Sequence, residues 1–164
     1  MVNEVALDLE RLRQEIGEVP DPEVPVLTIA DLGVLRSVEE VAGRVVVTIT
    51  PTYSGCPAMS HIAERIAAVL DMHAVEGEVR TVFSPAWTTD WMSDDGRRKL
   101  TEYGIAPPHR APAGDVLVAI RPPVHCPRCG SADTRLVSEF GSTACKAHYS
   151  CRSCSEPFDY FKEL

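Results

Sequence analysis

Residues 130–150 separate the sequence Cys126-Pro-Arg-Cys129 from the sequence Cys151-Arg-Ser-Cys154. Two residues between a pair of thiols allow a tight turn to direct both sulfurs toward one point, and Gly130 suits the bend that follows. Two such turns create a tetrahedral sulfur site, which is the geometry that structural Zn²⁺ prefers. The spacing leaves three alternatives to zinc open: rubredoxin-like iron, an iron–sulfur cluster, or no metal.

Residues 124–164 form a candidate module around these cysteines. A segment of about 40 residues is too short to build a sufficient hydrophobic core, so we expect the metal to stabilise it. A closed four-sulfur site leaves no coordination position for a substrate, so we expect a small all-β zinc ribbon that catalyses nothing itself. Runs rich in β-branched and aromatic residues predict its strands at 134–140, 147–150 and 158–161.

Residues 1–121 are predicted to form a separate α/β domain, an α+β sandwich of a small mixed sheet with helices, and Pro122-Pro123 marks the boundary. Two β-rich runs joined at Ala42-Gly43 predict a hairpin, and apolar residues at helical spacing predict helices. In chain order we expect a helix over 4–16, the hairpin over 34–41 and 44–50, a helix over 57–71, a strand over 78–83, a helix over 93–104 and a strand over 116–120.

Composition and charge exclude several classes of protein. The chain has 164 residues, is 45% hydrophobic and carries a net charge of −8, and no apolar run approaches the roughly 18–20 residues of a membrane helix. Its N-terminus is acidic and lacks the pattern of a secretion signal, so we expect a cytoplasmic protein whose cysteines bind metal or react as thiols. No basic stripe is present, so we expect neither nucleic acid nor membrane as a partner.

Cys56 is the most informative single residue of the first domain. It precedes Pro57, and proline is favoured at the first position of a helix, so Cys56 is predicted to cap the helix that follows. Helix amides and the helix dipole would lower its thiol pKa, which suits a nucleophile or a soft-metal ligand. Asp21 and Glu23 lie in a loop stiffened by three prolines and could face Cys56 as metal ligands or partner contacts. The simpler interpretation is a cap without chemistry and two solvated carboxylates.

Three further residues have both a structural and a functional interpretation. Cys145 lies outside the paired cysteines and is predicted to be a buried strand residue, or else a spare thiol near the metal or at an interface. Trp87 and Trp91 are four residues apart, which is a helical spacing. They are predicted to anchor the core, or alternatively an interface.

Several motifs carry a family resemblance. Asp21-Pro-Glu-Val-Pro25, Asp31-Leu-Gly-Val34 and Ser54-Gly-Cys-Pro57 resemble the iron–sulfur maturation domain of SufT and the cytosolic iron–sulfur targeting proteins. That resemblance implies a small α/β sandwich in which Cys56 is functionally critical. Longer motifs resemble the D subunit family of the bacterial 1,2-phenylacetyl-CoA epoxidase system: Thr50-Pro-Thr-Tyr-Ser-Gly-Cys-Pro57, Pro85-Ala-Trp-Thr-Thr-Asp-Trp91, Tyr103-Gly-Ile-Ala-Pro107, Glu139-Phe-Gly-Ser-Thr-Ala-Cys-Lys146 and Glu156-Pro-Phe-Asp-Tyr-Phe-Lys162.

The second resemblance implies an accessory role in aerobic phenylacetate degradation, where a di-iron monooxygenase epoxidises the ring of phenylacetyl-CoA. Two hypotheses follow. In the first, a maturation factor holds iron or an iron–sulfur cluster transiently on Cys56. In the second, the chain is a structural or electron-transfer subunit with a redox-active metal in the tail. Its partners would be the oxygenase subunits or their iron–sulfur reductase, and a homodimer is left open. A catalytic activity of its own is the least favoured, because no acid–base group accompanies the thiol.

Overall fold

The fold is known from a computed structural model that describes residues 8–110 and 122–163. Helices and strands within these ranges build two small sheets, and residues from both parts of the chain meet in the main hydrophobic core. The predicted strand over 116–120 and the first residues of the predicted helix over 4–16 lie outside the described residues. In chain order the elements are α1 (Leu9–Gly17), β1 (Leu35–Val41), β2 (Arg44–Ile49), α2 (Ala58–Met72), β3 (Gly77–Thr81), a 3-10 turn (Thr89–Trp91), α3 (Asp94–Tyr103), β4 (Ile105–Ala106), β5 (Thr134–Ser138), β6 (Lys146–Cys151) and β7 (Pro157–Phe161).

The first sheet has the order β1-β2-β3 and is mixed. β1 and β2 form the predicted hairpin, and its two turn residues Ala42 and Gly43 have φ values of 52° and 79°, as the tight turns that suit twisted strands require. β2 and β3 are parallel, and α2 makes the crossover between them. The apolar faces of α1 and α2 are buried with β2 in the main hydrophobic core, which confirms the predicted α+β arrangement.

The second sheet has the order β4-β7-β6-β5. Its last three strands form an antiparallel ribbon, as the sequence predicted for the tail. β4 follows α3 in the chain, yet it pairs in parallel with β7, with Ile105 opposite Asp159 and Ala106 opposite Tyr160. The ribbon sheet therefore includes a strand that the sequence assigns to the first domain.

The two parts of the chain also share side-chain packing. Phe161 from β7 is buried in the main core, where its ring centroid lies 6.2 Å from that of Trp87. The indole N–H of Trp87 donates to the carbonyl of Leu32 at 2.8 Å, which fixes the ring. Cys145 is buried in the same core. Independent folding of 1–121 and 124–164 stays a prediction. It would require the loss of the β4–β7 pairing and of the contact between Phe161 and Trp87.

The two tryptophans do not lie on one helix. Trp87 is in a loop and Trp91 ends the 3-10 turn. The predicted core role of Trp87 is confirmed by its burial. Trp91 is partly buried, and the guanidinium of Arg36 lies 3.5 Å from its ring centroid.

A partly buried ion pair fastens α3 to the loop before β1. Asp31 accepts hydrogen bonds from Ser93 at 3.1 Å and from Lys99 at 2.7 Å. Burial alone would raise the pKa of Asp31, but the Lys99 ammonium and the N–H of Thr28 outweigh it and hold that pKa below its ordinary value. The adjacent Gly33 has φ +70°, and a Cβ there would lie 2.5 Å from the carbonyl oxygen of Trp91, so only glycine fits.

Because Phe161 belongs to the main core, Phe161→Ala is expected to destabilise the whole protein. The loss should be about 3–5 kcal/mol in the free energy of unfolding, as for other buried phenylalanines. Unfolding by denaturant can be followed with two probes: tryptophan fluorescence reports the first part, and metal release reports the ribbon. The two transitions should coincide, and in Phe161→Ala both should move to a lower denaturant concentration.

Phe140→Ala is the matched control, because the Phe140 side chain is exposed and its loss should cost no more than about 0.5 kcal/mol. Two separate transitions, with only one of them moved by Phe161→Ala, would contradict the shared core.

Candidate functional site

Four cysteine sulfurs converge at one end of the ribbon. Cys126 and Cys129 lie in the turn before β5, Cys151 ends β6, and Cys154 lies in the turn before β7. All four sulfurs are within 4.8 Å of one another, and the Sγ–Sγ distances are 3.8 Å for Cys126–Cys154 and 3.6 Å for Cys129–Cys151. Zn–S bonds of about 2.3 Å give a tetrahedron with edges of about 3.8 Å, so the residues present fit such a metal centre.

Backbone groups of the two turns shape this end of the ribbon. Gly130 has φ +74° and Ser155 has φ 64°, so each turn bends back through the left-handed region just after its second cysteine. The N–H groups of Cys154 and Ser153 lower the pKa of Cys151 to about 7. The structure thus brings together the four predicted ligands, and their role as ligands stays a prediction that metal analysis can test.

Cys56 lies at the beginning of α2, but not as its cap. The helix begins at Ala58, and its N-cap is Pro57. Cys56 therefore lies one residue before the cap position that the sequence predicted for it. The N–H of Ala58 nevertheless favours the thiolate, as expected near a helix N-terminus. However, burial raises the pKa of the Cys56 thiol, and the carboxylates of Glu23 and Asp21 raise it further. The predicted lowering of this pKa is therefore wrong for the metal-free protein.

The two acidic residues of the proline loop have different surroundings. Asp21 is 7% exposed, and its Oδ1 accepts hydrogen bonds from the N–H groups of Glu23 and Val24, both at 2.8 Å. Asp21 therefore shapes the loop by closing a tight turn, and its charge reaches Cys56 only from a distance. Glu23 is half-buried, and its carboxylate is directed toward the thiols. A ligand role for either carboxylate stays a prediction.

Cys145 belongs to the same site, which the sequence did not predict. Its sulfur lies 3.7 Å from Oε2 of Glu23 and 3.0 Å from the hydroxyl of Thr143. It is in the turn just before β6, and burial raises its pKa to about 11, with Glu23 adding to the effect. The only signal in the sequence was a cysteine left over from the two pairs, and nothing in its neighbourhood pointed to Glu23.

Tyr53 completes this group of side chains. Burial raises its pKa to about 12, and the charges of Glu23, Cys56 and Cys145 contribute in that order. Cys56 beside it also raises this pKa. We call Glu23, Tyr53, Cys56 and Cys145 the two-thiol cluster. It joins the loop before α2, the proline loop and the ribbon.

Comparison with known proteins covers both parts of the chain. Residues 9–83 match the family model described as "Iron-sulfur cluster assembly protein", and residues 111–162 match "PaaD zinc beta ribbon domain". A protein from Escherichia coli that is named as the D subunit of 1,2-phenylacetyl-CoA epoxidase is 53% identical over 152 residues, or 90% of this chain and 88% of that protein. The chain belongs to the D subunit family of phenylacetyl-CoA epoxidase.

Two further relatives resemble the first part of this member of the D subunit family. An Fe-S protein maturation auxiliary factor from Porphyromonas gingivalis is 34% identical over 103 residues, which span 61% of this chain and 97% of that protein. The crystal structure of a domain of unknown function, DUF59, from Bacillus anthracis is 29% identical with a TM-score of 0.52, and the match covers 56% of this chain and 90% of that one. Within residues 8–110 and 122–163, no helix is long and apolar enough to cross a membrane.

Replacing the buried ligand candidate Cys151 with serine should abolish metal binding by the ribbon. The purified protein is expected to hold about one equivalent of metal, and Cys151→Ser close to none, because three sulfurs cannot close the site. Elemental analysis after gel filtration measures this. Cys145→Ser, which changes a cysteine outside the four, should keep the full equivalent, and a fully loaded Cys151→Ser would contradict the assignment.

The raised pKa values predict the reactivity of the two remaining thiols. A raised pKa leaves less thiolate at neutral pH, so Cys56 should be alkylated more slowly than an ordinary thiol, with a midpoint above the ordinary value of 9.0. Cys145 should react later still, with a midpoint of about 11. Alkylation rates as a function of pH, mapped by mass spectrometry, measure both.

Glu23→Gln should lower both midpoints, because it removes a negative charge beside the two sulfurs. The matched control is Glu18→Gln, an exposed position in the same part of the chain. A Cys56 midpoint well below that of an ordinary thiol would restore the activated-thiol prediction.

Proposed function

We propose that this protein is an accessory maturation factor for the phenylacetyl-CoA ring-epoxidising di-iron monooxygenase, and that it assists assembly of an iron or iron–sulfur centre through Cys56. The names of its relatives support a role in the phenylacetate pathway and in iron–sulfur maturation. The observation that carries the proposal is the position of the Cys56 sulfur: half-buried, beside a helix N-terminus and facing a carboxylate.

The chemistry of this thiol suits temporary metal binding. Without metal, burial and Glu23 keep the thiol protonated, which makes it unreactive toward oxidants and electrophiles at neutral pH. When a soft cation arrives as cargo, the thiol loses its proton to solvent and a sulfur–metal bond forms. The N–H of Ala58 then stabilises the thiolate. A thiol with a raised pKa forms a thiolate only when the positive charge of the metal stabilises it. Because protons compete effectively with the metal for such a sulfur, the metal is also released readily.

The ribbon is proposed to hold zinc in a structural role. The matched ribbon family supports zinc, and the sulfur–sulfur distances fit it. With four sulfur ligands the metal has no open coordination position for a substrate. Its contribution is therefore to stabilise the folded ribbon, which packs on the main core. The proposed partners are the oxygenase subunits or their iron–sulfur reductase. A cytoplasmic location and a homodimer stay predictions.

The alternative hypothesis is a structural or electron-transfer subunit, and the same sulfur geometry would accept a redox-active iron. The metal distinguishes the two hypotheses. A colourless protein with zinc supports the maturation factor, and a protein with iron and a visible chromophore supports electron transfer.

Cys56→Ala should separate folding from function. The variant is expected to fold, load its ribbon and lose on the order of 1 kcal/mol or less of stability, by comparison with the loss of an ordinary helix cap. Cells that carry it should fail to grow on phenylacetate, and the oxygenase or its reductase should be isolated with several-fold less iron. Iron content and epoxidase activity of the partner subunits, purified from variant and unmodified strains, measure the effect.

Ser54→Ala is the matched control, an exposed position in the same loop that should leave iron content and growth unchanged. Fully metallated and active partners from the Cys56→Ala strain would reject the proposal. Partners that are fully metallated yet inactive would support the alternative hypothesis.

A further inference from the structure

We propose that the four-cysteine end of the ribbon is a redox switch with two states, one with four sulfurs on zinc and one with a disulfide and no zinc. A peroxide oxidises an exposed ligand sulfur, and a buried sulfur of the opposite turn then closes the disulfide. The inference rests on the structural zinc of the proposed function. It goes beyond that function because maturation through Cys56 does not require an oxidised state of the ribbon.

Burial divides the four sulfur ligands into two kinds. Cys126 is 2% exposed and Cys151 is 1% exposed, whereas Cys129 and Cys154 are exposed. We call residues 126–129 the first turn and residues 151–154 the second turn, and each turn has one buried and one exposed cysteine. Because oxidation of a cysteine requires contact between its sulfur and the oxidant, susceptibility follows exposure. A dissolved oxidant therefore reaches one sulfur of each turn.

The distances pair each exposed sulfur with a buried sulfur of the other turn. Sγ of Cys129 lies 3.6 Å from Sγ of Cys151, and Sγ of Cys154 lies 3.8 Å from Sγ of Cys126. A sulfenic acid that forms on an exposed sulfur thus has a resolving sulfur beside it. The expected disulfides are Cys129–Cys151 and Cys126–Cys154, which join the two turns, and not the pairs within one turn.

Contacts that involve no sulfur hold the two turns against each other. The hydroxyls of Ser131 and Ser153 are hydrogen-bonded at 2.7 Å. The guanidinium of Arg128 donates to the carboxylate of Glu156 at 2.8 Å. Because neither contact uses a ligand sulfur, both persist when one sulfur has been oxidised. The resolving sulfur is therefore already in place, and closure of the disulfide needs no large movement of either turn.

The chemistry balances with hydrogen peroxide as the oxidant. The thiolate of Cys129 attacks one peroxide oxygen, the O–O bond breaks, and hydroxide leaves. The thiolate of Cys151 then attacks the oxidised sulfur, the S–S bond forms, and a second hydroxide leaves. Two thiolates lose two electrons in total, and one hydrogen peroxide with two protons becomes two water molecules. The two sulfurs that remain cannot complete a four-coordinate site, so zinc is lost, and a dithiol reductant with free zinc restores the first state.

The two-thiol cluster supplies an internal comparison. Cys56 is half-buried and Cys145 is buried, and burial raises the pKa of both thiols. The protonated thiol reacts slowly with peroxide, since the thiolate is the nucleophile. The ribbon sulfurs are therefore expected to be oxidised before Cys56 and Cys145.

Stepwise addition of hydrogen peroxide to the zinc-loaded full-length protein tests the switch. A colorimetric indicator measures released zinc, and mass spectrometry of unreduced digests locates the disulfides. We expect about one zinc ion per chain to be released as the first disulfide across the turns forms, with Cys56 and Cys145 still reduced. Dithiothreitol with added zinc should restore the full zinc content.

The double variant Cys129→His/Cys154→His separates exposure from metal binding. Two histidines and two cysteines also bind structural zinc, and only the buried sulfurs remain in this variant. Its zinc release by peroxide should be slower by about tenfold or more. Cys145→Ser is the matched control, a cysteine outside the ribbon ligands whose loss should leave the rate of zinc release unchanged.

The disulfide map of the unmodified protein decides the outcome even if the histidine variant does not bind zinc. Disulfides within one turn, oxidation of Cys56 or Cys145 before the ribbon, or zinc retained in excess peroxide would each overturn the inference. The zinc content before peroxide is added tests the proposed structural zinc separately, and its absence would overturn that assignment and the switch together. The maturation proposal is tested independently by the iron content of partners in the Cys56→Ala strain.

Discussion

Burial of Phe161 against Trp87 is the contact on which the rest of the arrangement depends. It places the last strand of the ribbon in the main core, 6.2 Å between ring centroids. The hydrogen bond from the N–H of Lys162 to the carbonyl of Cys145 extends the β6–β7 pairing and ties Cys145 to the same strand. Together with the pairing of β4 and β7, this contact joins the ribbon to the rest of the chain. With this contact, a metal that folds the ribbon also positions Cys145.

The two groups of cysteines differ in what surrounds their sulfurs. In the ribbon, backbone N–H groups face Cys151 and lower its pKa to about 7, while burial and the neighbouring thiols raise the pKa of Cys129 and Cys154. In the two-thiol cluster, burial and the Glu23 carboxylate raise the pKa of both thiols, so the protonated state is favoured when no metal is present. The free energy of deprotonation is subtracted from the affinity of a thiol for a metal, so these pKa values influence how tightly each sulfur can bind one.

Much of the local structure could be predicted from the sequence. The hairpin at Ala42-Gly43 and helix α3, with Ser93 as its cap and Gly104 at its end with φ 90°, follow from turn and cap chemistry that acts over a few residues. The ribbon strands follow from the same local reasoning. The position of Trp87 could not be predicted in this way, because its ring is fixed by a hydrogen bond to the carbonyl of Leu32, far away in sequence.

The sequence by itself determined the four-cysteine cluster, because paired thiols separated by two residues leave few other arrangements, and it singled out Cys56 through the proline that follows it. Only the tertiary structure decided what surrounds Cys56. The pKa of a thiol depends on burial and on charges several ångströms away, and both come from segments separated by many residues. Cys145 lies 122 positions from Glu23, and their contact exists only because the ribbon packs on the main core. A site assembled across such a separation has no sequence signature beyond a cysteine without a partner.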